Sequence, residues 1–192
     1  MSSGRFIVLE GPDGSGTTMH VALLAEHLRS EGADAVQTCE PTDGAIGRFI
    51  REHLKKQTLT PEALQLLFTA DRIEHLHKEV LPALNRGATV ISDRYWLSTV
   101  VYGEALGIDT DGLEYLNRKM RQPDVQIVLL PPFETCQERL GRRAEKDILE
   151  GDSLQMRVYN AYTKRAKAEH IPVVDSSGSI DATGEMIAAL VL

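Results

Sequence analysis

Residues 6–18 read FIVLEGPDGSGTT, and the order of side chains in them decides the fold. Phe6, Ile7, Val8 and Leu9 form an apolar run without polar alternation, as in a parallel strand buried on both faces. Directly after it comes Gly11-Pro12-Asp13-Gly14-Ser15-Gly16-Thr17-Thr18, and after that a segment of helical period over about 17–31. The pattern G-x-x-x-x-G-K-[ST] is met at Gly11, Gly16 and Thr18. Glycines let the main chain curl so that N–H groups along Gly11, Asp13, Gly14, Ser15, Gly16, Thr17 and Thr18 converge, and the helix N-terminus adds positive potential. Such a cradle binds phosphates, and Thr18 offers its hydroxyl to Mg²⁺. The departure is Thr17, which stands where the pattern has lysine. The missing ammonium ordinarily neutralises charge on the transferred phosphoryl group. Losing one such contact costs a few kcal/mol of barrier, by analogy with the ~2.7–4 kcal/mol of an oxyanion donor.

The same alternation continues along the chain. Short β-branched runs recur at Ala35-Val36, Ala88 to Ile91, Val125 to Leu130 and Pro172 to Val174. Helical periodicity predicts segments at 44–56, 61–85, 96–121, 132–143, 153–169 and 180–191. Thr60-Pro61-Glu62 supplies a capping hydroxyl, a proline at the first helical position and an acid in the first turn. Strand alternating with helix predicts an α/β fold: a mostly parallel sheet, right-handed crossovers and helices on both faces. Ligands then bind at the carboxyl ends of the strands. With 192 residues, no repeat and no linker, residues 1–192 form a single domain. A net charge of −7 argues against a nucleic-acid surface. No apolar run is long enough for a membrane helix, and the start has no signal-peptide core. Cys39 and Cys136 fit no disulfide framework or metal pattern, which points to a reducing cytoplasm.

Two further clusters fit a phosphate chemistry. Ser92-Asp93-Arg94-Tyr95 follows the third run; an acid there holds Mg²⁺ beside the loop and Arg94 reaches phosphate oxygens, the alternative being a local Asp93–Arg94 surface pair. On the helix beginning at Pro61, Phe68 and Arg72 share a face, giving a ring to stack on and a fork of donors for a base carbonyl. The alternatives are a core phenylalanine and a solvated Asp71–Arg72 pair. Residues 138–147 carry both signs densely, which usually means a solvated helix face. The alternative, suggested by glycine at 141 and a break before the next helix, is a lid over about 141–151, with Arg139, Arg142 and Arg143 replacing the charge that Thr17 lacks.

Taken together the motifs resemble the thymidylate kinase family. The matching stretches are 6–18, EPTDGAIGRFIR at 40–51, LFTADRIEH at 67–75, VISDRYWLSTVVY at 90–102 and the arginines of 139–143. The resemblance implies a P-loop NTPase-type three-layer sandwich on a five-stranded parallel sheet, with a short arginine-bearing lid. It also implies transfer of phosphoryl from ATP to dTMP with Mg²⁺, and a homodimer. By position it places Asp13 at the sugar 3′-hydroxyl, Arg51 and Arg94 on the acceptor phosphate, Phe68 on the thymine and Arg72 at its carbonyl. Ser98, Thr99 and Tyr102 line base and sugar, Arg139 lies against the adenine, Asp93 and Thr18 hold the metal, and Arg142 or Arg143 acts in catalysis. The departures are Thr17, Met19, the apolar Leu130-Pro131, and Gly103 in place of a base-reading glutamine, for which Glu104 is a possible substitute. They leave two other readings: a nucleotide-binding relative with weak or no kinase activity, or a kinase for another deoxynucleoside monophosphate.

Overall fold

The structure is a computed structural model, and it describes residues 4–56, 58–142, 149 and 151–191. Five strands, β1 (Phe6–Glu10), β2 (Ala35–Cys39), β3 (Thr89–Asp93), β4 (Val125–Leu129) and β5 (Val173–Val174), pair in parallel in the order β2-β3-β1-β4-β5. The first strand is central and fully buried, which explains its uninterrupted apolar run. At the sheet edge β2 tolerates Gln37 and Thr38 because only Ala35 of the strand is buried.

Side chains alternate across the sheet and so build two cores. Ile7, Leu9, Ile91, Ile127 and Leu129 pack against Val21, Leu24 and Leu28 of α1 (Thr17–Ser30) and Ile187 and Val191 of α9 (Ile180–Val191). On the other face, Phe6, Val8, Val90 and Val128 meet the helices that shape the site. These are α2 (Ala45–Lys56), α3 (Pro61–His75), α4 (Leu81–Asn85), α5 (Trp96–Leu106) and α8 (Asp152–Ala168). The expected three-layer sandwich is therefore present.

Two helical segments differ from their sequence pattern. The stretch 61–85 is continuous but passes through a π-helical turn at Leu76–Val80, with Leu81 N–H donating to the Leu76 carbonyl, one residue further back than in an α-helix. That shift lies just before Pro82, which has no N–H to contribute. The stretch expected as one helix over 96–121 is broken into α5 and α6 (Asp111–Arg118), because Gly107 adopts a left-handed φ of +80° and ends α5. α7 (Phe133–Gly141) follows β4.

Candidate active site

The parallel ladder brings together residues far apart in sequence. Leu9 and Cys39 flank Asp93 in register, Arg94 N–H donates to the Leu9 carbonyl at 2.9 Å, and Glu40 N–H donates to the Asp93 carbonyl at 3.0 Å. The carboxyl ends of β1, β2 and β3 thus present Glu10, Glu40, Asp93 and Arg94 beside the loop of residues 11–16.

In that loop Gly11, Gly14 and Gly16 all have positive φ, at +159°, +83° and +93°. A Cβ on Gly14 would lie 2.5 Å from the Cys136 carbonyl oxygen, so α7 leaves room there for glycine alone. Gly16 leads into α1 without a side-chain cap, which leaves the helix N–H groups for an anion. Thr17 is buried in the first turn, and Thr18 donates its hydroxyl to Asp93 Oδ2 at 2.5 Å. Asp93 Oδ1 is buried and has no partner among the described residues. The surface-pair alternative for Asp93 and Arg94 is overturned, since each turns to the loop rather than to the other.

Arg94 donates to Asp13 Oδ1 at 2.6 Å. Asp13 Oδ2 accepts from Tyr102 Oη at 2.7 Å and from Gln155 Nε2 at 2.8 Å. Donors from three elements therefore converge on one carboxylate, and Arg94 lies over the Tyr102 ring at 5.6 Å. Arg94 has φ +68°, a conformation strained for any residue with a Cβ and one that clusters at functional sites. Behind it Glu10 is wholly buried, accepting from Ser98 Oγ at 2.6 Å, Tyr162 Oη at 3.1 Å and Tyr95 N–H at 3.0 Å. Burial pushes its carboxyl up to about 7 despite those donors and Arg94.

Beyond Tyr102 opens a cavity of about 140 Å³ lined by Asp13, Phe68, Arg72, Arg94, Ser98, Thr99 and Tyr102, among others. Phe68 is half-buried, packing on the core beneath while its other side lines the cavity. Arg72 is 1% exposed. It donates to Glu40 Oε2 at 2.8 Å, Asn117 Oδ1 at 2.6 Å and Thr99 Oγ1 at 3.0 Å. It is therefore no solvated partner of Asp71, whose carboxylate instead accepts from Thr42 N–H and Oγ1, both at 2.7 Å. Ser98, which donates to Glu10, and Thr99 lie on α5 between these groups.

Other expected residues sit at the rim or outside. Arg51 donates to the carbonyls of Pro41, at 2.5 Å, and Thr42, holding the turn after β2. Arg139 donates to the carbonyls of Gly14 at 3.2 Å and Ser176 at 2.8 Å, so its guanidinium lies along the loop's outer side. Arg142 is exposed at the end of α7, whereas Arg143, Lys146 and most of the expected lid lie outside the described residues. Glu104 does not replace a base-reading group: it accepts from Arg165 at 2.5 Å, and Arg165 also bonds Glu114, so it belongs to an α5–α8–α6 ion-pair network. Glycine at 103 faces α6, where a Cβ would meet Thr110 at 3.0 Å.

Glu10, Glu40, Asn117, Gln155 and Tyr162 were not singled out from sequence. A faint signal existed for one pair, since Gln155 and Tyr162 are seven apart and share a face of α8.

The model of the thymidylate kinase family matches residues 9–187. The chain belongs to the thymidylate kinase family. Among its relatives is a probable thymidylate kinase of Pyrococcus abyssi, 39% identical over 98% of this chain and 96% of the relative. A thymidylate kinase of Nitrosomonas eutropha is 39% identical over 94% of this chain and 89% of its own. A probable thymidylate kinase of Methanococcus aeolicus is 41% identical over 82% and 77%. Like other thymidylate kinases, this family member is a phosphotransferase. Its glycine loop and its Asp13–Arg94 pair lie within the matched span.

Proposed function

We propose that this chain transfers the γ-phosphoryl group of ATP to dTMP, giving dTDP and ADP. The observation that carries the reading is the Asp13 cluster, in which Arg94, Tyr102 and Gln155 meet between the glycine loop and a cavity bearing Phe68 and Arg72. An acceptor phosphate at Arg94 then lies between a base site and a polyphosphate site. Its ionised oxygen attacks the γ-phosphorus in line and needs no general base. Catalysis is positioning and charge neutralisation. Arg94 holds the acceptor phosphate, with Arg51 at its entrance. Asp13 accepts from the sugar 3′-hydroxyl, and Tyr102 closes the space beside it. Phe68 stacks on the thymine, and Arg139 flanks the adenine. Arg142 or Arg143 supplies the positive charge that Thr17 does not.

Thr18 and Asp93 fit Mg²⁺. The orphaned Asp93 Oδ1 and the neighbouring hydroxyl are hard oxygen donors, and this metal commonly takes one or two carboxylates with substrate phosphates. When bound there, Mg²⁺ offsets charge on the ATP phosphates.

We further propose a homodimer. Phe49 of α2, Leu66 and Ile73 of α3, and Leu116 of α6 are exposed apolar side chains on neighbouring helices. The free thiols Cys39 and Cys136 suit the cytoplasm. Among the described residues, no helix is long and apolar enough to cross a membrane.

A coupled ADP-release assay across deoxynucleoside monophosphates tests the reading. Turnover with dTMP above all others is expected. Preference for another base would instead favour the reading that Gly103 prompts. No turnover would favour a nucleotide-binding relative. Thr17→Lys is expected to raise kcat roughly tenfold or more, within the range of a restored charge contact.

A further inference from the structure

We propose that Gln65 reads the base of the acceptor, a role that deepens the dTMP reading and rests on it. Gln65, Phe68 and Arg72 are spaced i, i+3 and i+7 on α3, so they share one face, and all three line the 140 Å³ cavity. Gln65 is 1% exposed, yet neither its Oε1 nor its Nε2 has a hydrogen-bond partner among the described residues. The polar groups around it have partners. Arg72 is held by Glu40, Asn117 and Thr99, and Thr69 donates to the Gln65 main-chain carbonyl at 3.1 Å. A buried carboxamide with all its bonds unmade is costly and rare in a folded protein. It is explained when a ligand completes it.

The chemistry of the two side chains narrows that ligand. A carboxamide presents a donor and an acceptor side by side, while a guanidinium only donates. Of the five N–H donors of Arg72, the bonds to Glu40, Asn117 and Thr99 leave one, on Nη1. A ligand edge that meets it carries a carbonyl, which leaves the amide oxygen of Gln65 for a ring N–H and its NH₂ for a carbonyl. Thymine and uracil offer a ring N–H between two carbonyls. Cytosine would turn an amino group toward Arg72, donor against donor. The cavity is also close to the ~150 Å³ that accepts one six-membered ring. Among the described residues no other side-chain amide lines the cavity; position 103 has no side chain and faces Thr110, and Glu104 is committed to Arg165.

Gln65→Leu keeps the approximate shape and removes both polar atoms. With wild-type turnover of dTMP established, the variant is expected to raise the KM for dTMP roughly 10- to 100-fold. The KM for ATP should stay within twofold, and kcat should fall far less than KM rises. Preference for dTMP over dCMP should shrink at least tenfold. The melting temperature of the unliganded variant should be unchanged or higher, because an unsatisfied amide gives way to an apolar group; a purely structural amide would lower it. An unchanged dTMP KM, or equal rises for dTMP and ATP, overturns the role of Gln65 and leaves the kinase reading intact. If the wild type turns over no dTMP, that reading falls instead. Gln65 is then judged by its side-chain NH₂ resonance, assigned by its disappearance in Gln65→Leu. A shift of that resonance on adding dTMP supports base contact, and its constancy refutes it.

Discussion

Arg94 shows how one residue carries both strain and chemistry. Its left-handed backbone costs an L-residue about 1–2 kcal/mol, and glycine escapes that cost. The side chain offsets it by joining Asp13 at 2.6 Å. Arg94→Gly and Arg94→Ala should both lose more than 100-fold in kcat, since each deletes the guanidinium. In denaturant titrations, however, the glycine variant should be more stable than the alanine variant by about 1 kcal/mol. Equal stabilities would mean that the backbone there is not strained. Asp93 and Arg94 were legible in sequence as candidate site residues because a strand end beside a glycine loop is where such groups act. That they avoid each other was not legible, because the loop that recruits both lies about eighty residues upstream.

Among elements, α7 and the glycine loop form one unit. The Cys136 carbonyl stands where a Gly14 side chain would be, and Arg139 of the same helix holds the Gly14 carbonyl. Gly14→Ala combines a positive φ with a 2.5 Å clash against main chain. It should weaken ADP binding at least tenfold by calorimetry and lower stability by about 2 kcal/mol or more. The periodicity located α3 well, because its inward face keeps phase through Leu64, Phe68 and Arg72. It ran α5 and α6 together because one glycine within a helical period costs only about 1 kcal/mol and does not by itself mark a break. In the structure the left-handed turn at Gly107 ends α5, and the bare Gly103 lets α6 pack back against it at Thr110 and Leu113. The arginines of 139–143 read as a group, yet the structure separates Arg139, anchored on the loop, from exposed Arg142.

For the molecule as a whole, two consequences can be measured. Glu10 has its carboxyl raised to about 7 by burial, so the folded state binds its proton more tightly than the unfolded chain. Its contribution to stability is present below the unfolded value near 4.5 and is lost as pH rises through 7. Between pH 5 and 7.5 the wild type should therefore lose roughly 2–3 kcal/mol relative to Glu10→Gln. His20, lowered by burial and by Arg139, slopes the other way, losing stability as pH falls through its unfolded value near 6.5. It is common to both proteins and cancels in the difference, which urea unfolding at several pH values will read. If the two curves run parallel, Glu10 is ionised alike in both states. Separately, Leu66→Glu with Ile73→Glu should convert a dimer to a monomer in sedimentation; an unchanged mass would remove α3 from the interface.

Local order along the chain was enough to determine the alternation of strand and helix, the glycine loop and the family, since each rests on neighbours in sequence: hydrophobic period, glycine spacing, a capping hydroxyl. The partners of the site were decided only in three dimensions. Gln155 reaches Asp13 across 142 positions, Tyr162 reaches Glu10 across 152, and Asn117 fixes Arg72 from a helix whose direction a single glycine turn sets. Polar groups in a buried site choose partners by proximity and by the cost of remaining unpaired. Proximity between distant segments comes from packing the sheet and its helices.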